Sequence, residues 1–178
     1  MVAQILTTAH RSGSVIYRVA CGPERSLMEE GIASASLATE PMGKALDQLT
    51  RSYPGLRWED SATGVRVLDP AVTAGLLRVR VPEFTIVEDR DAETALAALW
   101  RTPEVIRYMA AHDLRFARSD GTRTTRRAHG VVVVHMKNAT VADIVQQIAA
   151  SYPNKSTRFW SYRECERGAE TVVEIKIL

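Results

Sequence analysis

Residues 42–54, MGKALDQLTRSYP, and residues 141–153, VADIVQQIAASYP, superimpose without a gap at a constant offset of 99 positions, as from Ser52 to Ser151. Met42, Ala45, Leu46 and Leu49 fall on Val141, Ile144, Val145 and Ile148. That is the i, i+3, i+4, i+7 spacing by which a helix buries one side. Gln48 falls on Gln147, and both segments end in Ser-Tyr-Pro, at 52–54 and 151–153. A shared stripe with a shared terminator indicates duplication of one small α/β module.

Working outward from the first copy, residues 15–20 (VIYRVA) suit a strand that Cys21-Gly22-Pro23 ends. Residues 26–30 suit a helical turn. Thr39 or Glu40 is placed to cap the repeat helix, with Pro41 in its first turn. Pro54-Gly55 stops that helix. Residues 56–60 and 65–68 then alternate as the two strands of a half-buried hairpin, joined across 61–64. Asp69-Pro70 marks the end of this unit.

Residues 76–81 (LLRVRV) alternate as a strand, which 84–87 extend. Residues 91–100 read as a helix. Pro103 interrupts it before Val105, Ile106 and Met109 resume a stripe, so two short helices or one kinked helix are expected. Residues 115–130, RFARSDGTRTTRRAHG, read as a basic loop or exposed hairpin. The second copy opens with a buried-type strand at 131–136. Asn138 or Thr140 then starts its helix, and Thr140 with Asp143 has capping-box spacing. A hairpin of 158–163 and 171–177 closes the chain, with Val173, Ile175 and Ile177 on one face. The expectation is an α+β protein of two related small units, each a helix packed on a mixed or antiparallel sheet. Its segments are a first unit at 1–70, a central strand, kinked helix and basic loop at 71–130, and a second unit at 131–178.

Residues 37–70, LATEPMGKALDQLTRSYPGLRWEDSATGVRVLDP, resemble the short N-terminal domain shared by secretins and TonB-dependent receptors: a strand, a helix with an Ala-Leu pair, a tight exit and two strands. Residues 131–178 resemble the same module more loosely, with Ile144-Val145 in place of Ala-Leu and a longer closing hairpin. The resemblance implies an extracytoplasmic, non-enzymatic module that docks to a protein partner, in the periplasm or cell envelope of a bacterium. It brings no active-site residue and no cofactor to carry onto this chain.

Composition narrows the remaining classes. A chain of 178 residues holds one compact domain or two small ones, and 46% hydrophobic with 25% charged residues is ordinary for a folded domain. A net charge of +2 gives no global field toward nucleic acid or lipid. The longest apolar runs, such as 131–134, are far short of the ~20 residues of a spanning helix. The opening MVAQILTTAHRSG has no basic region ahead of an apolar stretch, so the expectation is a cytoplasmic protein if this is the whole chain, or an envelope protein if a leader has been removed.

Two cysteines, Cys21 and Cys165, read by default as buried free thiols; paired, they would tie the first strand to a late one. His129 and His135 flank a strand without a third metal ligand at useful spacing. His112-Asp113 reads as a helix C-terminus, and the carboxylates of Asp89, Asp91 and Glu93 as a helix start. Trp58, Tyr53, Tyr152, Phe159 and Trp160 read as core. No nucleophile elbow, phosphate-binding glycine loop or zinc-protease motif is present. The strongest local field is the arginine cluster of Arg115, Arg118, Arg123, Arg126 and Arg127. Its last three members, Arg123, Arg126 and Arg127, are the candidate contacts for an anion or a partner. Nucleic-acid or phosphate binding through them is the alternative to protein docking.

Overall fold

The computed structural model describes residues 5–6, 9, 13–20, 41–52, 55–61, 64–88, 92–117, 131–151, 159–167 and 170–177. Their elements are β1 (Gly13–Ala20), α1 (Met42–Ser52), β2 (Arg57–Ser61), β3 (Gly64–Leu68), a 3-10 turn (Gly75–Arg78), β4 (Arg80–Glu88), α2 (Ala92–Trp100), α3 (Pro103–Ala111), β5 (Leu114–Phe116), β6 (Val132–Thr140), α4 (Val141–Ser151), β7 (Phe159–Arg167) and β8 (Glu170–Ile177). The fold is α+β. The expectations at 26–30 and for Thr39 and Glu40 lie outside the described residues.

Both repeat helices form where their stripes place them. Ala45, Leu46 and Leu49 are buried on α1, and Val141, Ile144, Val145, Ile148 and Ala149 on α4. Pro41 precedes α1, and its carbonyl accepts the first helical bond, from Ala45 N–H at 3.1 Å. At the exit, Gly55 takes φ 117, a left-handed backbone that glycine adopts without a Cβ clash. The capping box on α4 is complete. The Thr140 hydroxyl accepts from Asp143 N–H at 3.2 Å, and the Asp143 carboxylate accepts from Thr140 N–H at 3.0 Å.

Six strands form one mixed sheet in the order β2-β3-β1-β7-β8-β5. In the first three, β2 and β3 are an antiparallel hairpin and β1 lies parallel to β3. In the last three, β7 and β8 are an antiparallel hairpin and β5 lies parallel to β8. The halves meet where β1 and β7 pair in parallel over eight residues, Gly13↔Phe159 to Ala20↔Glu166. Strands β3, β1 and β7 therefore point one way, and β2, β8 and β5 the other. A half-turn about a line across the strands relates the two halves, and such a rotation exchanges the faces of the sheet.

The cores show that exchange. Val15, Tyr17, Val65, Val67 and Phe159 bury against Ala45, Leu46 and Leu49 of α1. Ile16, Trp160, Tyr162 and Val173 bury against Ile144, Val145 and Ile148 of α4. Because neighbouring side chains on a strand point to opposite faces, β1 and β7 line both cores. The second core continues through α2 and α3 to the inner face of a separate two-stranded antiparallel ribbon, β4–β6.

Several expectations are corrected. The 76–81 stretch is not one strand: Leu77 N–H bonds Ala74 C=O at 2.9 Å and Val79 N–H bonds Leu76 C=O at 3.2 Å, so a 3-10 turn precedes β4. The adjacent Leu76 and Leu77 are both buried, which a turn permits and a half-buried strand does not. The 131–136 strand is only half-buried, with Val132 and Val134 inside and Val131 and Val133 each 53% exposed. Asn138 does not start the helix; β6 runs through it to Thr140, with Asn138 at φ 49. Arg115 is not in a loop but in β5. β4 pairs with β6 and β5 with β8.

Candidate partner-binding edges

The ribbon is the part of the fold with the most unused pairing capacity. Neither β4 nor β6 has a second strand partner among the described residues, so each has one open side. Its inner face holds Val81, Phe84, Ile86, Val132 and Val134 in the core. Its outer face changes character along its length. At one end Val87, 67% exposed, lies opposite Val133, with Val131 beside them. In the middle Thr85 lies opposite His135, their Oγ1 and Nδ1 2.7 Å apart. Glu83 lies opposite Lys137 toward the other end.

Between Val81↔Ala139 and Glu83↔Lys137 the ladder skips Pro82 and Asn138. Proline has no N–H to donate, and Asn138 takes a left-handed backbone. Both strands show two consecutive exposed residues there, 82–83 and 137–138, so the inward set changes phase across the skip. The valine end of the ribbon is regular and apolar, whereas the Pro82 end is interrupted and polar.

The six-stranded sheet has two further edges. β2 carries exposed Arg57, Glu59 and Asp60, with Arg66 on β3 bonding Glu59 at 3.2 Å. β5 carries exposed Arg115 between half-buried Leu114 and Phe116. Phe116 stacks on Trp100 with ring centroids 4.4 Å apart.

Of the residues singled out in the sequence, Arg118, Arg123, Arg126, Arg127, His129, Cys21, Tyr53, Tyr152, Asp89 and Asp91 lie outside the described residues. Cys165 is disulfide-bonded, which corrects the reading of it as a free thiol. His135 bonds Thr85, and among the described residues no group of three His, Cys, Asp or Glu side chains is arranged to hold a metal. His112 caps α3, donating its N–H to Met109 C=O at 3.3 Å with its ring 4.2 Å from that of Tyr108. Phe159 and Trp160 are buried and Trp58 is half-buried.

Two pairs of polar contacts escaped the sequence reading. Trp58 Nε1–H donates to Asp47 Oδ1 and Trp160 Nε1–H to Gln146 Oε1, each at 2.8 Å. Asp47 and Gln146 are separated by the same 99 positions as the helices that carry them. The Ser52 hydroxyl bonds Gln48 C=O at 3.0 Å, and the Ser151 hydroxyl bonds Gln147 C=O at 2.8 Å. The serine of each Ser-Tyr-Pro thus folds its hydroxyl back onto the carbonyl four residues earlier, in the last turn of its helix. The signal for the indole contacts was a tryptophan on the first hairpin strand of each copy. No protein-family model, curated protein or solved structure matches the chain.

Proposed function

We propose that the chain is a non-enzymatic protein-interaction module of the bacterial cell envelope, of the kind found as the short N-terminal domain of secretins and TonB-dependent receptors, here in two divergent copies. It binds its partner at the β4–β6 ribbon. The observation that carries this reading is the valine end of that ribbon: Val87, Val131 and Val133 are more than half exposed, on or beside a two-stranded element whose outer sides take no further strand among the described residues. An extended partner segment laid along such an edge gains main-chain hydrogen bonds, and its alternate side chains cover the valines.

The disulfide at Cys165 supports the compartment, since such bonds persist chiefly outside the reducing cytosol. The duplicated helix-hairpin contacts support the kinship of the halves. Immobilised protein is expected to retain a discrete partner from envelope extract, and Val133→Lys is expected to release it. Retention of nothing, or retention that Val133→Lys and Val87→Lys leave unchanged, overturns the reading.

A further inference from the structure

The outer face of the ribbon is complementary to itself. Its exposed side chains stand in two facing rows, Val87, Thr85 and Glu83 on β4 against Val133, His135 and Lys137 on β6. Rank by rank, the rows set an aliphatic residue opposite an aliphatic one, a hydroxyl opposite an imidazole, and a carboxylate opposite an ammonium. Glu83 and Lys137 are opposite in the ladder but form no ion pair with each other, and neither is ion-paired elsewhere among the described residues. Both charges are thus left for a surface that lies over the face.

We infer that a second copy of this chain covers this face, the two ribbons stacking outer face to outer face about a two-fold axis parallel to their strands. The inference rests on the reading of the ribbon as a contact surface and names what lies over its valines; the open sides of β4 and β6 stay free for a partner strand. A half-turn about such an axis keeps the strand direction and exchanges left with right, so β4 of one copy lies over β6 of the other. Val87 then meets Val133 of the second copy, Thr85 meets His135 and Glu83 meets Lys137, each pairing made twice because the contact is isologous. An axis perpendicular to the strands would instead lay the valines over Glu83 and Lys137, burying unpaired charge against apolar surface. Stacked sheets lie about 10 Å apart with strands within about 30° of alignment, a gap that glutamate and lysine side chains reach across together. Two nine-residue strands present roughly 300 Å² per copy, against about 800 Å² in a standard interface, so the dimer is weak and exchanges with monomer.

Sedimentation velocity over a concentration series tests it. The expected result is an average mass that rises toward two copies and not beyond, since an isologous contact closes. Glu83→Lys alone and Lys137→Glu alone are each expected to weaken association about tenfold, because like charges then meet across the stack. An equimolar mixture of the two is expected to associate again: lysines at 83 and 137 of one chain then face glutamates at 137 and 83 of the other, while the like charges within each chain remain. Val133→Lys is expected to abolish association, and circular dichroism of each variant establishes that it is folded. A wild-type mass that stays at one copy up to about 1 mM overturns the inference, as does growth past two copies, failure of the folded charge variants to recover on mixing, or association that Val133→Lys leaves unchanged. Retention from envelope extract is read separately. A monomer that retains a partner overturns the second copy alone, and a dimer that retains none upholds it while overturning the reading of a foreign partner.

Discussion

Leu49 and Ile148 occupy the same position in the two helix copies but different surroundings, and truncating each to alanine tests how the faces of the sheet are coupled. Leu49 is 4% exposed on the sheet-facing side of α1, whose opposite side carries the exposed Lys44, Asp47, Gln48 and Arg51, so the helix can settle toward the sheet. Ile148 is 0% exposed in the core that extends from the sheet through the other helices to the ribbon, where collapse is restricted on both sides. Large-to-small core changes cost about 2–5 kcal/mol according to how well the site relaxes, which places Leu49→Ala at about 3 and Ile148→Ala at about 4. For a chain of 178 residues, with each kcal/mol worth about 2–4 °C, the melting temperature is expected to fall by about 6–12 °C and 8–16 °C. Because β1 and β7 line both cores, neither face can lose its packing alone, and both variants are expected to melt in one transition by far- and near-ultraviolet circular dichroism. Two resolved transitions, with Leu49→Ala moving only one, would refute the argument that the shared strands make the faces one cooperative unit.

Gly13→Ala is expected to destabilise the β1–β3 pairing severely, because a Cβ at Gly13 would meet the Val65 backbone carbonyl and Leu6 Cδ1; loss of soluble folded protein or a large fall in urea midpoint checks it. Asp143→Ala removes the acceptor of two capping bonds from Thr140 and is expected to cost about 1 kcal/mol, read by urea titration with an unchanged slope. Reduction of the disulfide at Cys165 is expected to lower stability by about 2–5 kcal/mol, read from urea midpoints with and without reductant.

The elements that the sequence made legible are those whose local chemistry and burial agree. Helices α1 and α4 combine an apolar stripe with defined ends, and the hairpins combine alternation with short turns. Residues 76–79 misled because Leu-Leu-Arg-Val reads equally as a strand start and as a 3-10 turn. The turn prevails because Ala74, at φ 44, sends the chain back so that Leu76 and Leu77 can both enter the core. The β5 strand was hidden because three residues are too few to show a period, and its identity comes from pairing with β8 more than fifty positions later. The valine edge was misread for a related reason. A run of four valines suits a strand buried on both faces, and only the two-stranded architecture leaves every second one outside. The half-turn between the halves was not legible at all, since it depends on which strand joins β1, and that choice is made by tertiary packing.

The difference in apolar arc between α1 and α4 follows from the same half-turn. α1 lies on the face where the sheet supplies its main support, and Lys44, Asp47, Gln48 and Arg51 remain exposed. α4 lies on the face that the ribbon also covers, and a helix packed from two sides needs a wider apolar arc. The residues at matching positions supply it: α1 has Ala45-Leu46 where α4 has Ile144-Val145, Thr50 where α4 has the buried Ala149, and Arg51 where α4 has Ala150. The wider apolar arc of α4 is therefore what its two-sided packing requires. That covering layer turns its inner side to α4 and carries the exposed valines on its outer side, so the element that widens the apolar arc of α4 is also the one that presents the proposed partner site.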